Sequence, residues 1–251
     1  MAGHTKWANI KHRKAAQDAK KGNERQKLIK AIIIAAKEGG GDPGMNVRLK
    51  AALDRARAVS VPNDTITRAI KRGTGELEGV SYEEITYEGY GVEGVAIIIE
   101  SLTDNRNRTT PEIRAILERN GGSMGTPGSV AWNFERKGSV IVEGEVNEDQ
   151  LMEDAIDAGA EDVAMQDEGA QVTTDPSTMM EVREALEKKG YKIGDAEVIQ
   201  VPKTNITISN VDKARKMVKM IDLLESHDDV QNVFANFEFT DEVNEAIAND
   251  D

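Results

Sequence analysis

The sequence of 251 residues predicts an α+β multidomain protein, in which an N-terminal three-helix bundle precedes two ferredoxin-like α/β sandwich domains, one inserted in the other. Two observations lead to this prediction. Apolar residues recur at three- and four-residue spacing up to Gly73, and after Gly79 the spacing becomes that of strands. Strand and helix patterns then alternate as two β-α-β-β-α-β sets. The economical interpretation places the second set inside the first, and a linear three-domain chain is the alternative.

Three amphipathic helices are predicted in the N-terminal third of the chain. The first covers 24–37 and ends at the glycine-rich run 39–44. The second begins near Asn46, and the third opens after Pro62 and stops at Gly73. Short connections between amphipathic helices predict a small bundle whose outer surface carries basic side chains.

The α/β elements follow in chain order. Continuous Val and Ile at 95–102 predict a central strand, and Thr109 or Thr110 is expected to cap a helix that has Pro111 at its first position and ends at Gly121. The other elements of the outer set are strands at 84–88, 130–135, 205–209 and 230–239 and a helix at 211–226. The inner set consists of strands at 139–143, 162–166, 171–174 and 197–201 and helices at 148–158 and 176–189.

These patterns predict five segments. They are a flexible basic arm at 1–22, a helical bundle domain at 23–78, a discontinuous α/β domain at 79–137 and 203–240, an inserted α/β domain at 138–202 and an acidic tail at 241–251.

Charge is divided between the two parts of the chain. Residues 1–75 contain 10 Lys and 7 Arg against 6 acidic residues, a net of +11, whereas residues 76–251 contain 15 basic and 39 acidic residues, a net of −24. A polyanion is therefore attracted to one part of the molecule and repelled by the other. This division predicts an oriented contact with nucleic acid or with a nucleic-acid machine.

Candidate nucleic-acid-binding residues lie in the basic part. Lys and Arg neutralise phosphates and release counterions. Trp7 is expected to stack on a base, to pack in a protein groove or to fold back onto the bundle. The candidates are Lys6, Trp7, Lys11, His12, Arg13, Lys14, Lys20, Lys21, Arg48, Arg55, Lys71 and Arg72. A solubilising basic tail is the alternative for the arm, and helix-dipole stabilisation is the alternative for Lys71 and Arg72.

Two arginines in the acidic part are candidates for a secondary contact. Arg106 and Arg108 follow the central strand, where they either bind RNA or a protein groove or pair with Asp104 and nearby acids to fix the loop. We interpret His227 as part of a solvated turn between a helix and a strand.

Several functional classes are excluded by the residues present. The chain contains no Cys, its histidines lack the neighbouring ligands that a metal site needs, and no nucleophile motif stands out. We therefore expect no enzyme activity, cofactor, metal or small-molecule substrate. The longest apolar run, 31–36, is too short to span a bilayer, and the amino terminus lacks the apolar core of a secretory signal, so we expect a cytoplasmic protein without membrane association.

Six ordered motifs closely resemble the YebC/PmpR family, whose eukaryotic relatives include mitochondrial translational activators of cytochrome oxidase. They are MAGHTKWANIKHRKAAQDAKK at 1–21, GGGDP at 39–43, AIKRGTG at 69–75, YEEITYEGYG at 82–91, LTDNRNRT at 102–109 and GSVAWNF at 128–134. The resemblance implies a three-domain cytoplasmic protein that acts either as a transcriptional regulator on promoter DNA or as a ribosome-associated factor. In the second case it would contact ribosomal RNA and help translation through consecutive prolines.

Overall fold

A computed structural model describes residues 18–166 and 169–248, with side chains for 23–166 and 169–247. The chain divides into two compact units, one formed by residues 133–205 and the other by the described residues before and after them. The candidate residues Lys6, Trp7, Lys11, His12, Arg13 and Lys14 lie outside the described residues, and Lys20 and Lys21 are described only by their helical backbone.

Three helices open the discontinuous unit: α1 (Asp18–Gly39), α2 (Val47–Ala58) and α3 (Asn63–Gly73). The first begins upstream of the predicted boundary, so Lys20 and Lys21 belong to a helix. The side chain of Asn46 caps α2 by accepting the N–H of Leu49 at 3.0 Å. At Gly73, α3 approaches α1 so closely that a side chain there would clash with the carbonyl oxygen of Ile33. The buried core of the bundle includes Leu28, Ile32, Leu49, Leu53, Ile66 and Ala69.

The same unit contains a four-stranded antiparallel sheet made of β1 (Glu83–Tyr90), β2 (Ala96–Thr103), β3 (Ser123–Met124) and β9 (Val230–Ala235). The strand order is β3-β1-β2-β9. Helices α4 (Arg106–Arg119), α7 (Val211–Glu225) and α8 (Asp241–Ala248) and a parallel pair, β8 (Ile206–Ile208) and β10 (Phe237–Phe239), complete the unit. All but one of the residues of β2 are buried, as its continuous apolar sequence predicts for a central strand.

The unit formed by residues 133–205 is a β-α-β-β-α-β sandwich. Its elements are β4 (Phe134–Glu143), α5 (Glu148–Asp157), β5 (Asp162–Gln166), β6 (Gly169–Thr174), α6 (Met179–Lys188) and β7 (Lys192–Pro202). The antiparallel strand order β5-β6-β4-β7 is that of a ferredoxin-like fold. Val140, Leu151, Val172, Val182 and Leu186 are fully buried between the sheet and its helices.

The prediction of a strand at 130–135 is wrong. Residues Ala131–Asn133 form a 3₁₀ turn, and the strand begins at Phe134 and pairs inside the other unit. The carboxylate of Glu88 accepts the backbone N–H groups of Val130 and Ala131, which are therefore unavailable to a strand partner.

Two further predictions are corrected by local capping and pairing. Helix α4 starts at Arg106 because the side chain of Asn105 caps it, so Pro111 lies inside the helix and Thr109 is not the cap. The single strand predicted at 230–239 divides at Asn236, whose side chain accepts the N–H of Ala96 at 2.6 Å.

The predicted fold class is confirmed: the protein is a mixed α+β, multidomain molecule with antiparallel sheets. None of the helices within the described residues is long and apolar enough to cross a membrane.

Candidate nucleic-acid interface

Two of the predicted binding residues are already engaged in contacts within the protein. Arg48, in the first turn of α2, forms ion pairs with Glu38 at 2.5 Å and with Glu84. Arg55 is half-buried and also has an interaction within the protein. The pair of Arg48 with Glu84 joins the bundle to the sheet. These contacts leave Arg48 and Arg55 less suited to phosphate binding than their sequence positions predict.

Lys71 and Arg72 are differently placed. Both are exposed in the last turn of α3, and Arg68 is exposed one turn earlier on the same side of the helix. Among the described residues, no carboxylate forms an ion pair with any of the three. We call Arg68, Lys71 and Arg72 the α3 patch. Sequence reasoning missed Arg68, although its three- and four-residue spacing from the other two was a signal that could have identified it.

The α3 patch has packed neighbours that fix its base. A side chain at Gly79 would lie 3.2 Å from Cδ of Arg72, so the chain after α3 passes directly over the arginine stem. A side chain at Gly41 would lie 3.0 Å from both Ile70 and Thr74, so the α1–α2 loop borders the end of the same helix. The patch therefore presents its cations from a supported helix end.

The two candidates in the acidic part have different environments. Arg106 is exposed in the first turn of α4. Arg108 donates from Nη2 to Asp104 at 3.0 Å and to Asp229 at 2.7 Å, and the bond to Asp229 raises the pKa of Arg108. Arg108 thus makes the loop-fixing pairs that were one of its two predicted roles.

Asp229 is the centre of a buried polar cluster that sequence reasoning overlooked. Its carboxylate accepts Nζ of Lys30 at 2.7 Å and Nη2 of Arg108 at 2.7 Å, together with the hydroxyls of Thr109 at 2.6 Å and Thr103 at 3.2 Å. Burial of the carboxylate opposes its ionisation, but the bonds from Lys30, Thr109 and Arg108 outweigh that cost and hold the pKa of Asp229 well below its ordinary value.

Helix α1 is tied to the end of α7 by three polar side chains on one side of the helix. The bonds run from Asn23 Nδ2 to Ser226 O at 2.9 Å, from Lys27 Nζ to Glu225 O at 2.5 Å and from Lys30 Nζ to Asp228 O at 3.0 Å. Cations at the C-terminal end of a helix interact favourably with its dipole and its free carbonyl groups. Two cations of the bundle, Lys27 and Lys30, are therefore engaged in contacts within the protein.

His227 lies in the predicted turn, but its ring is packed rather than solvated. The side chain is 13% exposed, Nδ1 accepts the N–H of Asp229 at 3.1 Å, and Nε2 lies 3.0 Å from Glu112. The ring therefore supports the Asp229 cluster from the side of α4. No group of His, Asp and Glu side chains among the described residues could hold a metal ion.

A second buried carboxylate organises the loop between β3 and β4. Glu88 accepts the N–H groups of Gly128 at 2.5 Å, Val130 at 2.7 Å and Ala131 at 2.9 Å. Burial of Glu88 opposes its ionisation, but these three backbone donors outweigh it and lower the pKa of Glu88. The loop they fix carries Trp132, a residue that is 70% exposed.

Replacing Glu88 with Gln should lower the free energy of unfolding by about 1–3 kcal/mol, because an amide nitrogen would face backbone N–H groups and leave a buried donor unsatisfied. Urea denaturation measures the change. Glu83→Gln, at the exposed start of the same strand, is the matched control and should have little effect. Equal stability of the Glu88→Gln variant and the wild type would contradict this role of Glu88.

The fold and these sites define a multidomain α+β protein with a basic helical part; its described residues include two buried carboxylate clusters and an exposed tryptophan. A model of the TACO1/YebC protein N-terminal domain matches residues 5–76, and a model of the TACO1/YebC second and third domain matches residues 82–237. The chain belongs to the TACO1/YebC family.

Relatives match over nearly the whole length. A protein of Dictyoglomus turgidum, named a probable transcriptional regulatory protein, is 54% identical over 99% of this chain and 100% of its own. One of the same description from Caldanaerobacter subterraneus subsp. tengcongensis is 56% identical over 96% of this chain and 100% of its own. The crystal structure of a conserved hypothetical protein from Aquifex aeolicus is 45% identical, with a TM-score of 0.88 over 94% of this chain and 98% of its own.

Proposed function

We propose that this protein is a non-enzymatic regulator of gene expression that binds nucleic acid through its basic N-terminal part, and that it acts as a DNA-binding transcriptional regulator. The observation that carries the proposal is the division of charge, +11 over residues 1–75 against −24 over the remainder. The names of the relatives, which describe transcriptional regulatory proteins, agree with this role.

The mechanism follows from electrostatics. The cations of residues 1–22 and of the α3 patch neutralise backbone phosphates and release condensed counterions, which gives strong, salt-dependent affinity. The acidic remainder repels the same polyanion, so the protein approaches with the bundle foremost. The bonds from α1 to the end of α7 keep the bundle on the sheet during this contact.

A translation factor that contacts ribosomal RNA is the second candidate, and the position of the exposed cations favours it. Helices that read the major groove of DNA contact base edges with their N-terminal residues, whereas Lys71 and Arg72 lie in the last turn of α3. Cations at that end suit contacts to the phosphate backbone of a folded RNA.

Parallel binding measurements at matched salt separate the two candidates. A transcriptional regulator should shift its promoter fragment with an affinity at least about 10³-fold above that for random duplex. A ribosome-associated factor should instead sediment with ribosomes, leave them after nuclease treatment and alter elongation on proline-rich messages. Binding to neither nucleic acid, or binding to a protein partner that survives both nuclease and high salt, would contradict the proposal.

A further inference from the structure

Exposed apolar residues are concentrated near the end of α3. Of the large hydrophobic residues that are exposed within the described part of the chain, more than half fall in the segment 45–80: Met45, Val47, Leu77 and Val80. Leu77 and Val80, which are 42% and 54% exposed, belong to the connection that follows α3. Single exposed aliphatic residues are common on protein surfaces, but several in one region indicate a surface that binds another molecule.

The connection after α3 places these two residues against the cations of the α3 patch. The backbone N–H of Leu77 donates to the carbonyl oxygen of Lys71 at 3.1 Å, so Leu77 lies at the last turn of the helix. Gly79, the residue before Val80, approaches Arg72 so closely that a Cβ there would lie 3.2 Å from Cδ of the arginine. The two aliphatic residues and the two cations therefore form one surface, both apolar and basic, which we call the α3 end.

The apolar part of the α3 end suits a protein partner better than a phosphate backbone. Aliphatic side chains gain free energy by leaving water for an apolar surface, which a phosphate backbone does not offer. The exposed carboxylates of Glu76 and Glu78 flank Leu77 in the sequence and repel phosphate groups laid across it. The partner that fits is a protein surface with an exposed aliphatic residue among carboxylates.

The unit formed by residues 133–205 carries such a surface on α5. Ile156 is 56% exposed and is the only exposed large hydrophobic residue among the described residues of that unit. Asp149 and Glu153, both exposed, precede it by seven and three positions, so the three residues share one face of the helix. The sequence of α5, EDQLMEDAID, contains no Lys or Arg. The exposed face of α5 therefore complements the α3 end in charge and in apolar character.

We propose that the α3 end of one copy of this protein binds the exposed face of α5 of a second copy, so that the protein self-associates head to tail. A contact between two different surfaces leaves one of each unused in a dimer. The assembly therefore grows beyond a dimer as the protein concentration rises, as a ring or as an open chain. Few side chains take part, so the contact is weak and reversible.

Self-association excludes nucleic acid from the α3 end, because both partners use Lys71 and Arg72. This consequence rests on the proposed function, whereas the contact between copies does not. A nucleic acid bound at these cations prevents α5 of a second copy from reaching them. By linkage, self-association lowers the affinity for nucleic acid by the same factor.

Two variants of the full-length protein test the contact, by sedimentation velocity over a concentration series from about 10 μM to about 1 mM. Leu77→Asp with Val80→Asp disables the α3 end, and Ile156→Asp disables the face of α5. Each variant alone should self-associate about tenfold or more weakly than the wild type, because a carboxylate would be buried in an apolar contact. An equimolar mixture should form dimers and nothing larger, since each variant keeps the surface that the other lacks.

The mixture distinguishes a specific contact from general repulsion, because mixing changes the charge of neither variant. Leu223→Asp, at a residue of α7 that is 41% exposed, is the control and should self-associate like the wild type. Matching unfolding midpoints would establish that every variant is folded. A wild type that stays monomeric throughout the series, or a mixture that fails to restore dimers, would overturn the head-to-tail contact.

Addition of a duplex of 12 base pairs, as DNA and as RNA, separates this inference from the proposed function. An excess of duplex should dissociate the wild-type assembly. Self-association without binding to either duplex would support the contact between copies and count against the proposed function. Salt-dependent duplex binding by a protein that never self-associates would do the reverse. Duplex bound to an intact assembly would overturn the shared use of Lys71 and Arg72.

Discussion

Replacing Asp229 with Ala should lower the free energy of unfolding of the unit that contains it by about 3–5 kcal/mol, the cost of breaking a buried ion pair from one side. The carboxylate side chain is 2% exposed and Lys30 is 12% exposed, so the ammonium group would lose its partner where little water can replace it. The hydroxyls of Thr103 and Thr109 would also lose an acceptor. Urea denaturation measures the change, followed by tryptophan fluorescence in a Trp7→Phe background so that the signal comes from Trp132, which belongs to the same unit as Asp229.

Asp228→Ala is the matched control. Asp228 is exposed, and its contribution to the cluster is a backbone carbonyl that binds Lys30 and is retained in the variant, so its stability should stay within about 0.5 kcal/mol of the wild type. Equal stability of the Asp229→Ala and Asp228→Ala variants would contradict the central role of the carboxylate.

The Asp229 cluster determines the direction in which the free energy of unfolding changes with pH. The pKa of Asp229 is depressed in the folded protein, so its ionised form stabilises the fold. This stabilisation is fully present above the unfolded pKa of about 3.9 and is lost as the pH falls through the folded value. The difference in unfolding free energy between wild type and Asp229→Asn should therefore be constant above about pH 5 and shrink as the pH falls below 4.

Local patterns were sufficient for most of the fold. The predicted helix at 211–226 is one residue longer than α7, and the predicted strand at 95–102 is shifted by one residue from β2. Both predictions are close because the helix has a strong period and the strand has a continuous apolar run. The ferredoxin-like unit was predicted for the same reason, since its strands and helices alternate at short intervals. In these segments local propensity and tertiary structure agree.

The segment around Trp132 shows where local patterns fail. Val130, Trp132 and Phe134 alternate as in a strand, which would place all three on one face and bury the indole. The hydrogen bonds from Val130 and Ala131 to Glu88, 42 and 43 positions away, produce a 3₁₀ turn instead and expose the indole. No local signal reports such a distant acceptor.

The positive charge of the candidate site could be predicted from the sequence, but which of its residues are paired and which are exposed could not. The charge division located the basic part, yet sequence alone could not reveal that Arg48 is paired with Glu38 and Glu84 while Arg68 is exposed. Asp229 resembled the many other acids of the chain, because its partners Lys30 and Arg108 are 199 and 121 positions away. Burial and pairing of charges depend on contacts between residues that lie this far apart in the sequence.

Reversing the α3 patch to Glu (Arg68→Glu, Lys71→Glu and Arg72→Glu together) should weaken nucleic-acid binding on the order of 100-fold near 0.1 M salt. Each phosphate contact contributes about 0.9 to the slope of log affinity against log salt, so losing three contacts should reduce that slope by about 3. Fluorescence anisotropy across a salt series measures both quantities. Reversal of Lys11, Arg13 and Lys14 should have a comparable effect if the arm contacts phosphate as its sequence predicts.

The control for this experiment must change net charge equally. Arg215, Lys216 and Lys219 are three exposed cations on α7, and reversing them lowers the net charge of −13 by the same amount as reversing the α3 patch. General repulsion of a polyanion would weaken both variants alike, whereas a local interface at α3 predicts a large loss in the α3 variant only. Equal losses, or a larger loss in the α7 variant, would move the interface away from the bundle. Matching unfolding midpoints would establish that each variant is folded, because the substituted side chains are exposed.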